Sequence, residues 1–247
     1  MGSIGSNAVS ILLERRADGV AIVRIDRPER RNALDSPTLA AFIAALRELA
    51  AEDGLRALVL STTSPRAFCA GADTGEALSR EAGMARMRAF GALYEALEAI
   101  PVPVVCVCVG NTLGAGAELA AGSDLRVGGD NLMIGWVGAG LGVPVGPARL
   151  VPLVGAARAK ELIFTGRRLD AAGADALGLL TRVVPAEEAE AVALELAGQV
   201  AAKPPDGVRR LKGLFRELGA EPARVGRENA VLEDWQAHGD GLPQARS

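Results

Sequence analysis

One segment restricts the fold more than any other. Residues 100–125 read IPVPVVCVCVGNTLGAGAELAAGSDL. The first half is a continuous apolar run broken only by two prolines, and it reads as a buried strand. The second half is almost entirely Gly and Ala, with one carboxylate, Glu118, near its centre. A strand that runs into a short helix of small residues can sit only where other chain passes very close. The isolated charge has two explanations. Either Glu118 is a solvated side chain on a short helix, or the small residues let something approach it closely.

The rest of the chain supplies partners for that strand. Residues 8–16 and 20–26, separated by Asp18-Gly19, predict a β-hairpin. Ser36 followed by Pro37 predicts a helix start, and Leu39, Phe42, Ile43, Leu46 and Leu49 keep helical spacing up to Gly54. LRALVLST at 55–62 predicts a buried strand, and 79–99 a long helix. Short strands are expected in DLRVG and LMIGW on either side of a Gly-Gly-Asp-Asn turn. Beyond Pro147 helical patterns dominate, with one strand, LLTRVVP at 179–185. The expected class is α/β, with a core over 1–190 and a helical region over 191–247.

Several functions are disfavoured. The formal net charge is −3 and no Lys/Arg-rich run is present, so nucleic acid is not an expected partner. No apolar run approaches the ~20 residues that cross a bilayer, and MGSIGSNAVS lacks the pattern of a signal peptide. Gly2 with Ser6 fits an N-myristoylation pattern only loosely. Cys69, Cys106 and Cys108 form no disulfide framework, and Cys106 and Cys108 alternate onto one face of a strand, where core packing is expected. A cytoplasmic setting is the expectation. The single histidine, His238, lies in a polar stretch near the C-terminus, so histidine-based triads are not expected. No Cys/His spacing predicts a metal site. The Gly114-x-Gly116 pair lacks the third glycine of a dinucleotide fingerprint, since Leu119 stands there.

A second loop resembles the first. RAFCAGAD at 66–73 leaves the 55–62 strand and is again built of small residues. A helix beginning near Gly114 presents unpaired N–H groups, and the 66–73 loop can supply another. Two backbone donors converging on one oxygen form an oxyanion hole. Glu118, one turn further into the helix, would then be placed as an acid or base beside a polarised carbonyl. On pattern alone this stands level with the solvated-helix reading.

Taken together, RIDRPERRNALD at 24–35, AFCAGAD at 67–73, GNTLGAGAELAAGSDLRV at 110–127 and AKELIFTGRRLDAAGADALGLLTRVVP at 159–185 resemble, in order, the signature blocks of the crotonase (enoyl-CoA hydratase/isomerase) superfamily. The resemblance implies a crotonase (ClpP-like) spiral of ββα units with a helical C-terminal trimerisation region. It implies homotrimers, or hexamers as dimers of trimers. It implies an acyl-CoA thioester substrate, with coenzyme A as part of the substrate and no separate cofactor, and a thioester enolate held in an oxyanion hole. By position the donors would be the N–H groups of Ala72 and Ala115, with Glu118 as general acid/base. Arg30, Arg31 and Arg66 would meet the CoA moiety, and Ala70, Gly71, Asp73, Gly114, Trp136 and Gly138 would line the substrate site, with Trp136 against the acyl group. Asp73 and Asp124 also match family positions, in roles that are more often structural than catalytic.

The chain departs from the family pattern in three places. The second glutamate of the hydratases falls on Gly138, in the segment IGWVG. The following turn, GVPVGPARL at 142–150, is about three residues shorter than the Gly-rich family version. The tail ends soon after EDWQAHGDG, where the family often completes its adenine pocket. A hydratase working with one carboxylate is the primary expectation. Isomerisation, decarboxylation, hydrolysis or carbon–carbon cleavage with a single base is the alternative, and a non-catalytic acyl-CoA binding protein is the third. Glu76 and Glu81 are further acids that could substitute, although exposed acids at a helix start are the simpler expectation.

Overall fold

The structure, a computed structural model, describes residues 10–239. Gly2, Ser6 and the segment after Gly239 lie outside the described residues. The hairpin is present as β1 (Ile11–Arg15) and β2 (Val20–Ile25), paired antiparallel, followed by α1 (Ser36–Ala50). The cap of α1 is Asp35, one residue before the expected Ser36: its carboxylate accepts from Thr38 N–H.

Three successive turns of chain then repeat one plan. β3 (Ala57–Thr62), β4 (Ala67–Cys69) and α2 (Arg80–Glu98) form the first. β5 (Val104–Cys108), β6 (Asn111–Leu113) and α3 (Ala115–Ala121) form the second. β7 (Leu125–Gly129), β8 (Met133–Gly135) and α4 (Pro147–Thr165) form the third. The chain closes with β9 (Leu169–Asp170), α5 (Ala171–Ala176), β10 (Arg182–Val184), α6 (Ala189–Ala201), α7 (Pro205–Leu218) and α8 (Glu221–His238). In each of the three turns the first strand joins a six-stranded sheet, ordered β1-β2-β3-β5-β7-β10, and the second joins a four-stranded sheet, ordered β4-β6-β8-β9. This is the ββα spiral.

The period of two along the strands explains why both faces of the large sheet are buried. Val20, Ile22, Ala57, Val59, Val105 and Val107 point one way, against the alanine stripe Ala189, Ala193 and Ala197 of α6. Ala21, Val23, Leu58, Leu60, Cys106 and Cys108 point the other way, into the main core with α1 and α2. Cys106 and Cys108 are buried with Sγ atoms 3.8 Å apart and are not bridged. The boundary expected after residue 190 falls inside α6, which seals the sheet of the core. No described helix is long and apolar enough to cross a membrane.

Candidate active site

The three strand-to-helix connections of the spiral meet at one cavity of about 200 Å³. The first contributes Ala70, Gly71, Ala72 and Thr74, the second Gly114 and Ala115, and the third Val137, Gly138, Leu141, Val143 and Val145. Met87, Phe90 and Tyr94 of α2 and Leu232 of α8 complete an apolar lining.

The first two connections touch. Gly71 has φ +103, and a Cβ there would sit 3.1 Å from the Leu113 carbonyl and 3.7 Å from Ala115 N, so only glycine allows the approach. At Gly116 a Cβ would fall 2.2 Å from the Cys69 carbonyl, so this glycine lets α3 lie directly on β4. The small residues of the opening segment are explained by these contacts. They also orient two donors. Leu34 pairs with the 71–73 strip by donating to Gly71 O and accepting from Asp73 N–H, which leaves the N–H of Ala72 directed away from Leu34. Ala115 is the first residue of α3, where the earliest backbone bond runs from Glu118 N–H to Gly114 O. The N–H groups of Ala72 and Ala115 therefore make no hydrogen bond within the described chain, and both residues line the cavity.

Glu118 is fully buried behind this wall and is absent from the cavity lining. Its Oε2 accepts from Arg149 Nη1 at 2.9 Å, and Oε1 has no partner. The indole N–H of Trp136 is also unpartnered; it lies near enough to favour the ionised carboxylate without meeting hydrogen-bond geometry. Arg149 is shared. Its Nη1 also donates to Glu228 Oε1 at 2.9 Å, its Nε lies 3.4 Å from Glu98 Oε1, and its guanidinium stacks 4.2 Å from the Tyr94 ring centroid. Burial first, with repulsion from Glu228, pushes Glu118 up to about 7 against the pull of Arg149. Burial likewise pushes Glu98 up to about 7. The solvated-helix explanation of Glu118 is thus excluded.

The other expected site residues separate into two groups. Ala70, Gly71, Ala72, Gly114, Ala115 and Gly138 line the cavity. Asp73 does not; its carboxylate is taken by Arg27 Nη1 at 2.7 Å and Gly75 N–H at 2.9 Å, and Arg27 helps hold it below the usual range despite burial. Trp136 is a correction. It is only 2% exposed and lies in the core, because the two-residue period that buries Ile134 also buries Trp136 and turns Val137 to the cavity. Arg30, Arg31 and Arg66 are exposed; Arg30 and Arg31 flank the first connection, where Arg31 O accepts from Ala70 N–H. Asp124 accepts from Val104 N–H and Lys212, a structural tie. Glu76 is engaged by Ser36 N–H and Arg86, and Glu81 is exposed on the first turn of α2, so neither reaches the cavity. His238 is an exposed residue ending α8, beside Asp234 at 3.0 Å.

At Gly138 the structure adds a finding. A Cβ there would lie 2.9 Å from the Val143 carbonyl and 3.2 Å from Val145 Cγ1. The turn through Val143 and Val145 fills the space that a side chain would need. Arg149, Glu228 and Glu98 were not anticipated as neighbours of Glu118. They come from α4, α8 and α2, and no local spacing joins them.

The family model described as enoyl-CoA hydratase/isomerase matches residues 15–236. The chain belongs to this family. Among similar members, the short-chain-enoyl-CoA hydratase of Clostridium acetobutylicum is 33% identical over 210 residues, 82% of this chain and 79% of that one. The mitochondrial enoyl-CoA hydratase domain-containing protein 2 of Mus musculus is 36% identical over 201 residues, 77% of this chain and 68% of that one. The crystal structure of an enoyl-CoA hydratase/isomerase from Pseudoalteromonas atlantica T6c superposes with a TM-score of 0.81 at 26% identity, covering 94% of this chain and 92% of that one. Within the family the ββα spiral described above is the shared fold.

Proposed function

We propose that the protein is an enoyl-CoA hydratase-like enzyme acting on an acyl-CoA thioester. The observation that carries this is the pair of unpartnered N–H groups of Ala72 and Ala115 on one cavity wall. Such donors are matched to a thioester oxygen that becomes an oxyanion, and their placement costs no reorganisation during the reaction. Arg30, Arg31 and Arg66 supply exposed cations for the phosphates of coenzyme A. Family membership and the named activities of the relatives support the substrate class.

In hydration, water oxygen bonds to Cβ while its proton passes to Glu118. The electron pair of the double bond moves through Cα to the thioester oxygen, held by the two N–H groups. The enolate then collapses as Glu118 returns the proton to Cα, and the carbonyl reforms. One carboxylate closes this cycle because both protons come from one water. Glu118 performs it through Oε1, the oxygen that makes no hydrogen bond. A carboxyl poised near 7 suits both directions of transfer at neutral pH.

Single-base enolate chemistry, double-bond isomerisation above all, is the second reading. It is favoured by the wall of Val137, Leu141, Val143 and Val145 where a second acid would stand, which leaves little to bind water. The test is incubation of 2-enoyl and 3-enoyl thioesters in D₂O with mass spectrometry. Gain of water with deuterium indicates hydration, and deuterium alone indicates isomerisation or other single-base enolate chemistry. Glu118→Gln should lower either by about 10²–10⁴-fold. Thioesters that bind and return unchanged would identify a binding protein and end both readings.

A further inference from the structure

Arg149 and Glu228 stand at the junction between the acid and the cavity wall, and the function proposed above uses neither. Glu228 Oε1 accepts from Arg149 Nη1, while its Oε2 accepts from Gly146 N–H at 3.1 Å and Ala148 N–H at 2.8 Å. One carboxylate on α8 therefore ties the start of α4, and with it the turn carrying Val143 and Val145, to the same guanidinium nitrogen that holds Glu118. Two contacts of 2.9 Å to one nitrogen place the Glu118 and Glu228 oxygens within about 6 Å of each other, close enough for their charges to interact strongly. Gly146 has φ +123, and a Cβ there would lie 2.9 Å from Trp136 Cδ1 and 3.4 Å from Glu118 Oε1, so the turn passes beside the free oxygen of the acid.

We propose that Arg149, anchored by Glu228, is a positioning residue for Glu118: it occupies Oε2, leaves Oε1 as the only oxygen able to carry the transferred proton, and couples that acid to the turn forming the far wall of the cavity. This rests on Glu118 being the acid/base of the proposed reaction. The charged and titratable groups facing Glu118 are Arg149 from α4, Glu228 from α8, and Tyr94 and Glu98 from α2, with Cys69 of β4 beside Tyr94. Of these, Glu228 alone shares with Glu118 a single contact atom, Arg149 Nη1.

The test is ¹³C NMR titration of glutamate side chains in the full chain, with Glu118→Gln assigning the signal. Glu228→Gln keeps the shape but removes a neighbouring negative charge and frees Arg149. The Glu118 midpoint should then fall by about one pH unit. Arg149→Lys, which keeps the charge but loses the shared contact, should move it in the opposite direction by a smaller amount. In deuterium exchange, the pH limb assigned to Glu118 should move in parallel while KM changes less than kcat. A Glu118 midpoint unchanged in Glu228→Gln overturns the proposal, whatever the activity. A shifted midpoint in a protein whose exchange is indifferent to Glu118→Gln upholds the positioning and overturns only the assigned reaction.

Discussion

Glu118 and Glu98 share one cation, Arg149, with Glu228, so the buried cluster holds three acids for one base. Glu118 and Glu98 are held at about 7, above the ordinary 4.5. Between these values the folded chain keeps protons that the unfolded chain has released. Their contribution to stability is therefore complete below the unfolded value and is lost as pH rises through the folded one. The melting temperature should fall by a few degrees between about pH 5 and about pH 8, and the fall should be clearly smaller in Glu98→Gln/Glu118→Gln. A steeper fall in the double variant would show that the raised acids are not the source. The isolated Glu118 was visible in the sequence as an anomaly. Its partners were not, because Arg149 is 31 residues away in the chain and Glu228 is 110 away, and only the packing of α4 and α8 brings them together.

At the level of elements, the strands that fill both faces of the large sheet announced themselves as continuous apolar runs. In the smaller sheet only β8, within LMIGW, was expected. β4, β6 and β9 are two or three residues long, too short for any period to register, and they exist because the spiral stacks them. The same holds for α8, whose polar surface hides Val225 and Leu232 on a face that packs against α2 and α4. Gly138 illustrates how an element sets the meaning of a residue. Read in sequence it is a missing glutamate; in the structure it is a position whose space belongs to Val143 and Val145. Gly138→Glu should therefore lower the urea midpoint by the equivalent of about 1–3 kcal/mol and add no hydration of 2-enoyl thioesters. Increased water incorporation in that variant would show that the turn yields readily.

For the molecule as a whole, α7 is the element that a lone chain leaves unfinished. Lys212 anchors one side of it, donating to Val102 O at 2.8 Å and Asp124 at 2.9 Å. Leu211, Leu214, Phe215 and Leu218 form an exposed stripe on another side, with Phe215 at 74% and Leu218 at 76% exposure. The trimer or hexamer implied by the family resemblance would cover such a stripe. Sedimentation of the native chain is expected to give a multiple of 25.4 kDa, and Phe215→Glu/Leu218→Glu should shift it toward the monomer. A native chain that sediments as a monomer would remove that assembly.

The closed turn over Gly138 also bears on ancestry. Glycine and glutamate codons can differ by a single base, so a carboxylate at that position would ordinarily be an easy step for a lineage to take or retrace. Here the step would need the turn to move at the same time, since Val143 and Val145 occupy the space beside Gly138. Two changes that are useful only together are rarely acquired one after the other. The packed turn thus acts as a ratchet against a side chain at this position, because no single substitution at Gly138 gains the room it needs.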